Sequence, residues 1–381
     1  MNVLIYGSGQ LAKMMALAAC PLGIQVLAVD VATQHVVDPI NKGIQNESLE
    51  QAINNADVLS VEFEHVPEAL LEQAQESGKL LPSVDAILTG ADRIREKQLL
   101  EKLDVPNCPY HIVTNIDQLP SAIKALGEQL IIKASRDGYD GYGQWRLSDA
   151  NGLKDLQETL AELDLMKVPL VVEKMLSFDR ELSLLGARSS DGHIRFYPLA
   201  ENLHHQGQLH VSVAPAPAIT SELNEQAQWA FTQVANELDY VGVLAVEFFQ
   251  IGEQLLVNEI APRVHNSGHW SMQGSDTCQF ENHIRAITGL PLGDTQPKHH
   301  SAMINIIGCD DISYDLLSIE GAHIHWYGKS VRQKRKMGHI NLIAEDYSAL
   351  AESMTTLAKY LPVEHFPKLL GEADKLSKLN G

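Results

Sequence analysis

The chain is poor in positive charge. Lysine and arginine number 29 against 49 acids, a formal net charge of −20 over 381 residues. A surface of that sign repels nucleic acid and anionic membrane, so neither is an expected partner. Cysteine is scarce as well. Cys20, Cys108, Cys278 and Cys309 are scattered, with no C-x-x-C pair. That argues against a disulfide frame or a thiolate zinc site and fits reduced thiols in the cytoplasm. No apolar run approaches the roughly 20 residues of a spanning helix. Leu17-Ala18-Ala19-Cys20 has the look of a lipoprotein cleavage box. The stretch before it lacks a basic start and is interrupted by Gly7, Ser8, Gly9, Gln10 and Lys13, so a signal peptide is not expected. Internal repeats are not evident.

What is present reads as an α/β (α+β) protein too long for one core. NVLIY (2–6) is a strand, GSGQ a tight turn, residues 11–20 a helix broken at Pro21-Leu22-Gly23, and IQVLAV (24–29) a second strand ending at Asp30. This is a βαβ unit. ADVLSVEFEHV (56–66) reads as a strand with an acidic end, and 81–106 as a loop followed by helices. From 107 the texture changes to strands and glycine loops: QLIIKAS (129–135), the hairpin RDGYDGYGQWRL (136–147), LVVEKML (170–176), RELSLLGAR (180–188) and paired strands over 194–217 with a turn at Gln206-Gly207. Helices are expected over 221–238 and 279–289. Residues 300–345 read as short strands and 346–378 as helix and loop. The expected domains are 1–100, 101–295 (with a small subdomain at about 107–178) and 296–381.

The chemistry gathers on two apolar runs, VGVLAVEFF (241–249) and QLLVNEIAPR (254–263), read as neighbouring strands. Glu247 and Glu259 stand near their ends, with the amide Asn258 beside them. Carboxylates hold hard cations, and the cations hold phosphate oxygens, so this is the donor set of a magnesium–nucleotide site. Arg263 and the run HNSGH (265–269) follow directly and suggest an anionic second substrate. Lys133, at the end of a strand and before a glycine loop, can reach a nucleotide phosphate. Glu173 and Glu181 are candidates for an adenine edge and ribose hydroxyls; the competing reading is of solvated acids at strand ends. His204 and His205 read as surface histidines on a loop. His265 and His269 have H-x-x-x-H spacing, but Pro262, Asn266, Ser267 and Gly268 argue for a loop rather than a zinc-binding helix face. Gly7 to Ala12 match G-x-G-x-x-A, with Asp30 one βαβ unit later. Alone this is the dinucleotide fingerprint. Its physical content is narrower, a close-approach turn and a helix start at Gly9, Gln10 and Leu11 that favours an anion such as a ribose phosphate. NAD is not favoured, since nothing later reads as hydride chemistry. The tract KSVRQKRKMGHI (329–340) is the densest basic run in an acidic chain and reads as a site for a phosphate or carboxylate.

Taken in order, GSGQLA, DRIREKQ, IIKASRDGYDGYGQWRL, EKMLSFDRELSLLGAR, FYPLAENLHHQG, VGVLAVEFF, NEIAPRVHNSGHW, QFENHIRAITGLPL and KRKMGHIN resemble the N5-carboxyaminoimidazole ribonucleotide synthetases of the ATP-grasp superfamily. The resemblance runs from Val3 to about residue 345. It implies an ATP-grasp fold with a Rossmann-like pre-ATP-grasp domain and a small C-terminal domain. It implies ATP and two Mg²⁺ as cofactors, 5-aminoimidazole ribonucleotide and bicarbonate as substrates, and a homodimer. By position, Arg93, Lys133, Gly138, Tyr139, Asp140, Gly141, Tyr142, Gly143, Gln144, Glu173, Lys174, Met175, Leu176, Glu181, His204, Asn258 and Glu259 match the ATP-binding residues. Glu247 and Glu259 match the magnesium ligands. Arg263, His265, Asn266 and Ser267 match positions around bicarbonate and the ribonucleotide. Lys329, Arg335 and Lys336 match basic positions near the ribonucleotide phosphate. Asp140 is placed to order the attacking amine. The chain departs from the family at Tyr142, where the loop usually carries arginine, and that puts the detailed anion contacts in doubt. Two rivals remain from the sequence: another ATP-grasp carboxylate–amine ligase, and a dinucleotide-binding oxidoreductase or sensor.

Overall fold

Two short apolar runs, Asn2–Tyr6 and Gln25–Val29, lie parallel and mostly buried. Val58–Val61 pairs on the other side of the first, and Val36–Val37 completes a four-stranded sheet. The helix Gln10–Ala19 connects the first two strands, as a βαβ crossover requires. This structure, a computed structural model, describes residues 1–136 and 143–379. The strand expected over 56–66 ends at Val61. The chain leaves the sheet there because Glu62 turns back to the start of the helix Gln10–Ala19.

A second, antiparallel sheet carries Tyr110–Val113, Leu170–Lys174, Leu130–Ala134 and Gln144–Leu147 in that order. The largest sheet has nine strands among the described residues. Its main path is Gln254–Ala261, Gly242–Ile251, Arg180–Arg188, Ala200–His205, Gln208–Ala214, His300–Ile307, Lys336–Ala344 and Ala322–Trp326. Gln208–Ala214 bonds to His300–Ile307, so the sheet runs unbroken past residue 296.

The two faces of this sheet differ. One packs Leu182, Leu184, Leu244 and Val246 under the helix Ser221–Glu237, and Ile304, Ile306, Ile340 and Leu342 under the helices Tyr347–Leu357 and Leu369–Leu376. The other is apolar where the helix Gln279–Ile287 covers it, and the helix Gln10–Ala19 packs between that helix and the first sheet. Partners in register share a face. On that second face Glu259 faces Glu247, which faces Ser183; Glu181 faces Asn202, which faces Ser212. Asn305 faces His339, which faces His325. A polar stripe therefore crosses the sheet, and Ser183, Asn202, Ser212, Asn305 and His339 in it are buried. Buried polar groups demand partners, so the stripe marks where the fold is committed to something other than packing.

Candidate active site

The acid pair sits at a β-bulge. Glu247 faces Glu259 while Phe248 faces Val257, which leaves Asn258 as the extra residue. A bulge breaks the alternation of side chains and re-aims those beside it. Glu259 is exposed, whereas the Glu247 side chain is only 14% exposed. Burial pushes the Glu247 carboxyl up to about 7; His204 opposes the shift and Glu259 adds to it. Two facing carboxylates that resist ionising together are what a dication relieves. Among the described residues no group of three or more histidines, cysteines or acids converges into a metal cage. A pair of carboxylates is the donor set that Mg²⁺ uses when water and phosphate complete its shell.

On the other side of Asn258 one carboxylate holds two lysines. Glu173 is buried, with Lys97 Nζ 2.8 Å from one oxygen and Lys133 Nζ 2.6 Å from the other. Burial alone would raise its pKa, but the two cations bring it down to about 2. The reading of Glu173 as a solvated strand end is thus replaced by a buried ion triad. Lys133 also reaches Asn258 Oδ1 at 3.5 Å, which bridges this end to the acid pair. Arg93 is fixed on the Ala134 carbonyl at 3.0 Å. Past Glu173, the N–H groups of Lys174 and Met175 are taken by the Pro109 and Gln129 carbonyls, so they are not the donors for an adenine edge. Leu176 is half-buried. Gly143 takes a positive φ of 67°, where glycine is favoured, and Gln144 opens its strand opposite Lys133. Gly138, Tyr139, Asp140, Gly141 and Tyr142 lie outside the described residues.

His204 is not a loop residue. It lies in the strand Ala200–His205, with Nδ1 2.8 Å from Glu181. Burial disfavours its charge, but the Glu181 carboxylate outweighs that and raises its pKa.

On the second-substrate side, Arg263 is gripped through Nε by Glu64 at 2.8 Å. His265 lies at the cap of a single turn of 3₁₀ helix, Asn266–Gly268, so H-x-x-x-H does fall on a loop-like segment. Its Nδ1 accepts from the Ser267 N–H at 3.3 Å and lies 2.9 Å from the Ser267 hydroxyl. Burial, with Arg263 and Lys336 nearby, holds the ring neutral. The proton then belongs on Nε2, which becomes a donor. For the same reason the 3.8 Å approach to Glu247 is not a salt bridge. Gln279 clamps the same turn, accepting from the His265 N–H and donating to its carbonyl, each at 2.8 Å. In the basic tract, Lys336 lies close enough to act electrostatically on Glu247, and Lys329 on Glu62. Arg335 donates through Nη1 to the Ser330 carbonyl at 3.1 Å and to its hydroxyl at 3.0 Å.

The glycine turn needs a correction. Glu62 is buried with its carboxylate accepting from Gly9 N–H and, at 2.9 Å, from Ala12 N–H. A Cβ on Gly9 would stand 2.7 Å from that carboxylate, which is why glycine is there. Two N–H groups of the helix start are thus taken by the protein's own carboxyl, and burial pushes the pKa of that carboxyl up. Asp30 is likewise occupied, accepting from the Ala32 and Thr33 N–H groups. Neither feature is set up for a dinucleotide.

Three family models match end to end: a ribonucleotide synthetase preATP-grasp domain over residues 1–89, an ATP-grasp domain over 98–280 and a phosphoribosylaminoimidazole carboxylase C-terminal domain over 301–353. An N5-carboxyaminoimidazole ribonucleotide synthase of Vibrio cholerae is 47% identical over 380 residues, covering 99% of this chain and all of that one. The chain belongs to the N5-carboxyaminoimidazole ribonucleotide synthase family. The crystal structure of the Thermus thermophilus synthetase superposes with a TM-score of 0.84 at 40% identity, covering 94% of this chain and 98% of that one. The Aspergillus clavatus synthase, solved with ADP and 5-aminoimidazole ribonucleotide, superposes with a TM-score of 0.78 at 28% identity, covering 98% of each chain. An ATP-grasp architecture of mixed sheets and helices is common to all three.

Within this synthase frame, several residues at the site carry no motif of their own. Glu62 and Glu64 had one signal, the acidic end of 56–66. Lys97 and Gln279 lie in segments that carry the family resemblance but have no chemical signal of their own, and Asn305 had none, because each acts through a partner distant in sequence.

Proposed function

We propose that this enzyme, an ATP-dependent carbon–nitrogen ligase of purine biosynthesis, carboxylates 5-aminoimidazole ribonucleotide with bicarbonate. The products are N5-carboxyaminoimidazole ribonucleotide, ADP and phosphate. The observation that carries the reading is one of placement. The acid pair Glu247–Glu259 lies between the Lys133–Glu173 end and the turn His265–Ser267, so a nucleotide and a small anion would meet over the same bulge. Mg²⁺ held by Glu247, Glu259 and Asn258 would supply charge neutralisation at the transferring phosphoryl group.

A bicarbonate oxygen attacks the γ-phosphorus and ADP leaves, which gives carboxyphosphate. The exocyclic amine then attacks its carbon, phosphate departs and the amine loses a proton. Lys133 steers the phosphates, exchanging its bond to Glu173 for the nucleotide while Lys97 keeps Glu173 ionised. Arg263, held by Glu64, and the donor edge of His265, Asn266 and Ser267 orient bicarbonate and the carboxylated intermediate. Lys329, Arg335 and Lys336 bind the ribonucleotide phosphate, and Glu62 turns its acceptor oxygens toward hydroxyl or amine rather than phosphate. Asp140, in the glycine loop 136–144, orders the amine, and the loop shields carboxyphosphate from water. The family resemblance is what supports a cytoplasmic homodimer. Among the described residues no helix is long and apolar enough to cross a membrane.

Phosphate release from ATP tests this directly. It is expected to require bicarbonate and the ribonucleotide together. Equal release with another carboxylate in place of bicarbonate would point instead to a different ATP-grasp ligase.

A further inference from the structure

The polar stripe contains one arrangement that the reaction scheme leaves unused. Asn305 is fully buried in the strand His300–Ile307, on the C-terminal side of the continuous sheet. Its amide nitrogen donates to the Leu209 carbonyl at 2.9 Å and to Asn266 Oδ1 at 2.7 Å. Its oxygen accepts from Asn266 Nδ2 at 3.1 Å. The two side chains thus form a closed ring of two hydrogen bonds. An asparagine amide alone can sit either way round. A backbone carbonyl cannot, being an acceptor only. Leu209 therefore fixes which end of Asn305 is nitrogen, and Asn305 fixes which end of Asn266 is oxygen. The ring uses one N–H of Asn266 and leaves its second N–H as the donor the side chain has to offer.

We propose that Asn305 is a positioning residue for the second-substrate site. It holds the Asn266 amide in the one orientation that presents an N–H, rather than an oxygen, to the anionic substrate. The inference rests on the reading that Asn266 faces bicarbonate or the carboxylated intermediate. It adds that the C-terminal part of the chain sets the polarity of that contact through a relay from Leu209.

The test is a double-mutant cycle of Asn266→Ala and Asn305→Ala on the intact enzyme, read as kcat/KM for bicarbonate, with KM for ATP as the control. Asn305→Ala is expected to lower kcat/KM for bicarbonate by about tenfold or more and to leave KM for ATP unchanged. In the Asn266→Ala background it should cost nothing further, because a residue that acts only through Asn266 has nothing left to act on. Additive losses would overturn the proposal while leaving the role of Asn266 intact. A neutral Asn266→Ala would overturn both. Asn305→Asp keeps the test decisive if the alanine variant does not fold. A protonated carboxyl has one O–H, so it can close the ring with Asn266 only by leaving the Leu209 carbonyl without its donor, and a carboxylate cannot close the ring at all. Activity of that variant should therefore rise toward the parent as pH falls, and a pH profile parallel to the parent's would contradict the relay.

Discussion

The two ends of the site, at Glu173 and at the Glu247–Glu259 bulge, are built on opposite electrostatic plans. At Glu173 one buried carboxylate holds two lysines, and its pKa falls to about 2. At the bulge two carboxylates face each other, and the Glu247 pKa rises to about 7. The first end is complete without ligand. The fold has met the cost of burying its charges by pairing them. The second end gathers negative charge that cations relieve at longer range, His204 and Lys336 at Glu247 and Arg263 at Glu259. A site complete in itself serves to hold and orient. A site left electrostatically incomplete is one that binding must finish, and the sign of the deficit names a cation.

Changes at either end test that contrast. The largest effect is expected at the bulge. Glu247→Gln or Glu259→Gln should lower kcat/KM by about three orders of magnitude, the scale on which loss of charge stabilisation in phosphoryl transfer acts. Circular dichroism should stay unchanged, and at pH 8 the ligand-free Glu247→Gln protein should be no less stable than the parent. Near-normal turnover in both variants would remove the metal assignment. The opposite is expected at the complete end. Lys97→Met leaves Glu173 with Lys133 alone and should cost about 3 kcal/mol of stability in urea unfolding, since breaking a buried pair strands a charge. An unchanged unfolding midpoint would mean that Lys97 is not needed to hold Glu173.

Glu96 sharpens the comparison, since it is a third buried carboxylate beside both ends. Burial raises its pKa from the ordinary 4.5 to about 7; Lys97 opposes the shift, and Glu259 adds to it. Below 4.5 both folded and unfolded forms are protonated and the group costs nothing. As pH rises toward 7 the unfolded chain ionises first, so the folded state loses up to roughly 3 kcal/mol. Glu96→Gln keeps an oxygen to accept from the Ile260 N–H, bonded at 2.8 Å in the parent. The variant should therefore gain on the parent between pH 4.5 and 7 and hold that gain above it. A constant offset across the pH range would show that Glu96 does not titrate with folding.

Much of this was legible in the sequence, for a physical reason. Element type follows from local periodicity, so the helix Ser221–Glu237 and the acid-bearing strands Gly242–Ile251 and Gln254–Ala261 stand within a residue or two of where their patterns put them, and the turn at Gln206-Gly207 falls between Ala200–His205 and Gln208–Ala214, strands shorter than the span 194–217 read for them. The pairing of Glu247 with Glu259 was legible because both lie on a hairpin. What escaped depends on distant partners. No local signal says that Glu62 fills the helix start at Gly9, that Glu64 grips Arg263, that Lys97 doubles Lys133 on Glu173, or that Asn305 closes a ring with Asn266. His204 was read as a loop histidine because the strand that holds it is short and polar on one face. At the glycine turn the sequence reads as an anion site, and no local pattern shows that Glu62 takes the Gly9 and Ala12 N–H groups.

The most direct measurement of the difference between the two ends is the affinity for a non-hydrolysable ATP analogue, with and without Mg²⁺, in the parent, Glu247→Gln and Lys97→Met. The account predicts that Mg²⁺ tightens binding by the same factor in the parent and in Lys97→Met. Glu247→Gln should keep the metal-free affinity and lose most of the metal-dependent gain. Full Mg²⁺ dependence in Glu247→Gln would contradict it.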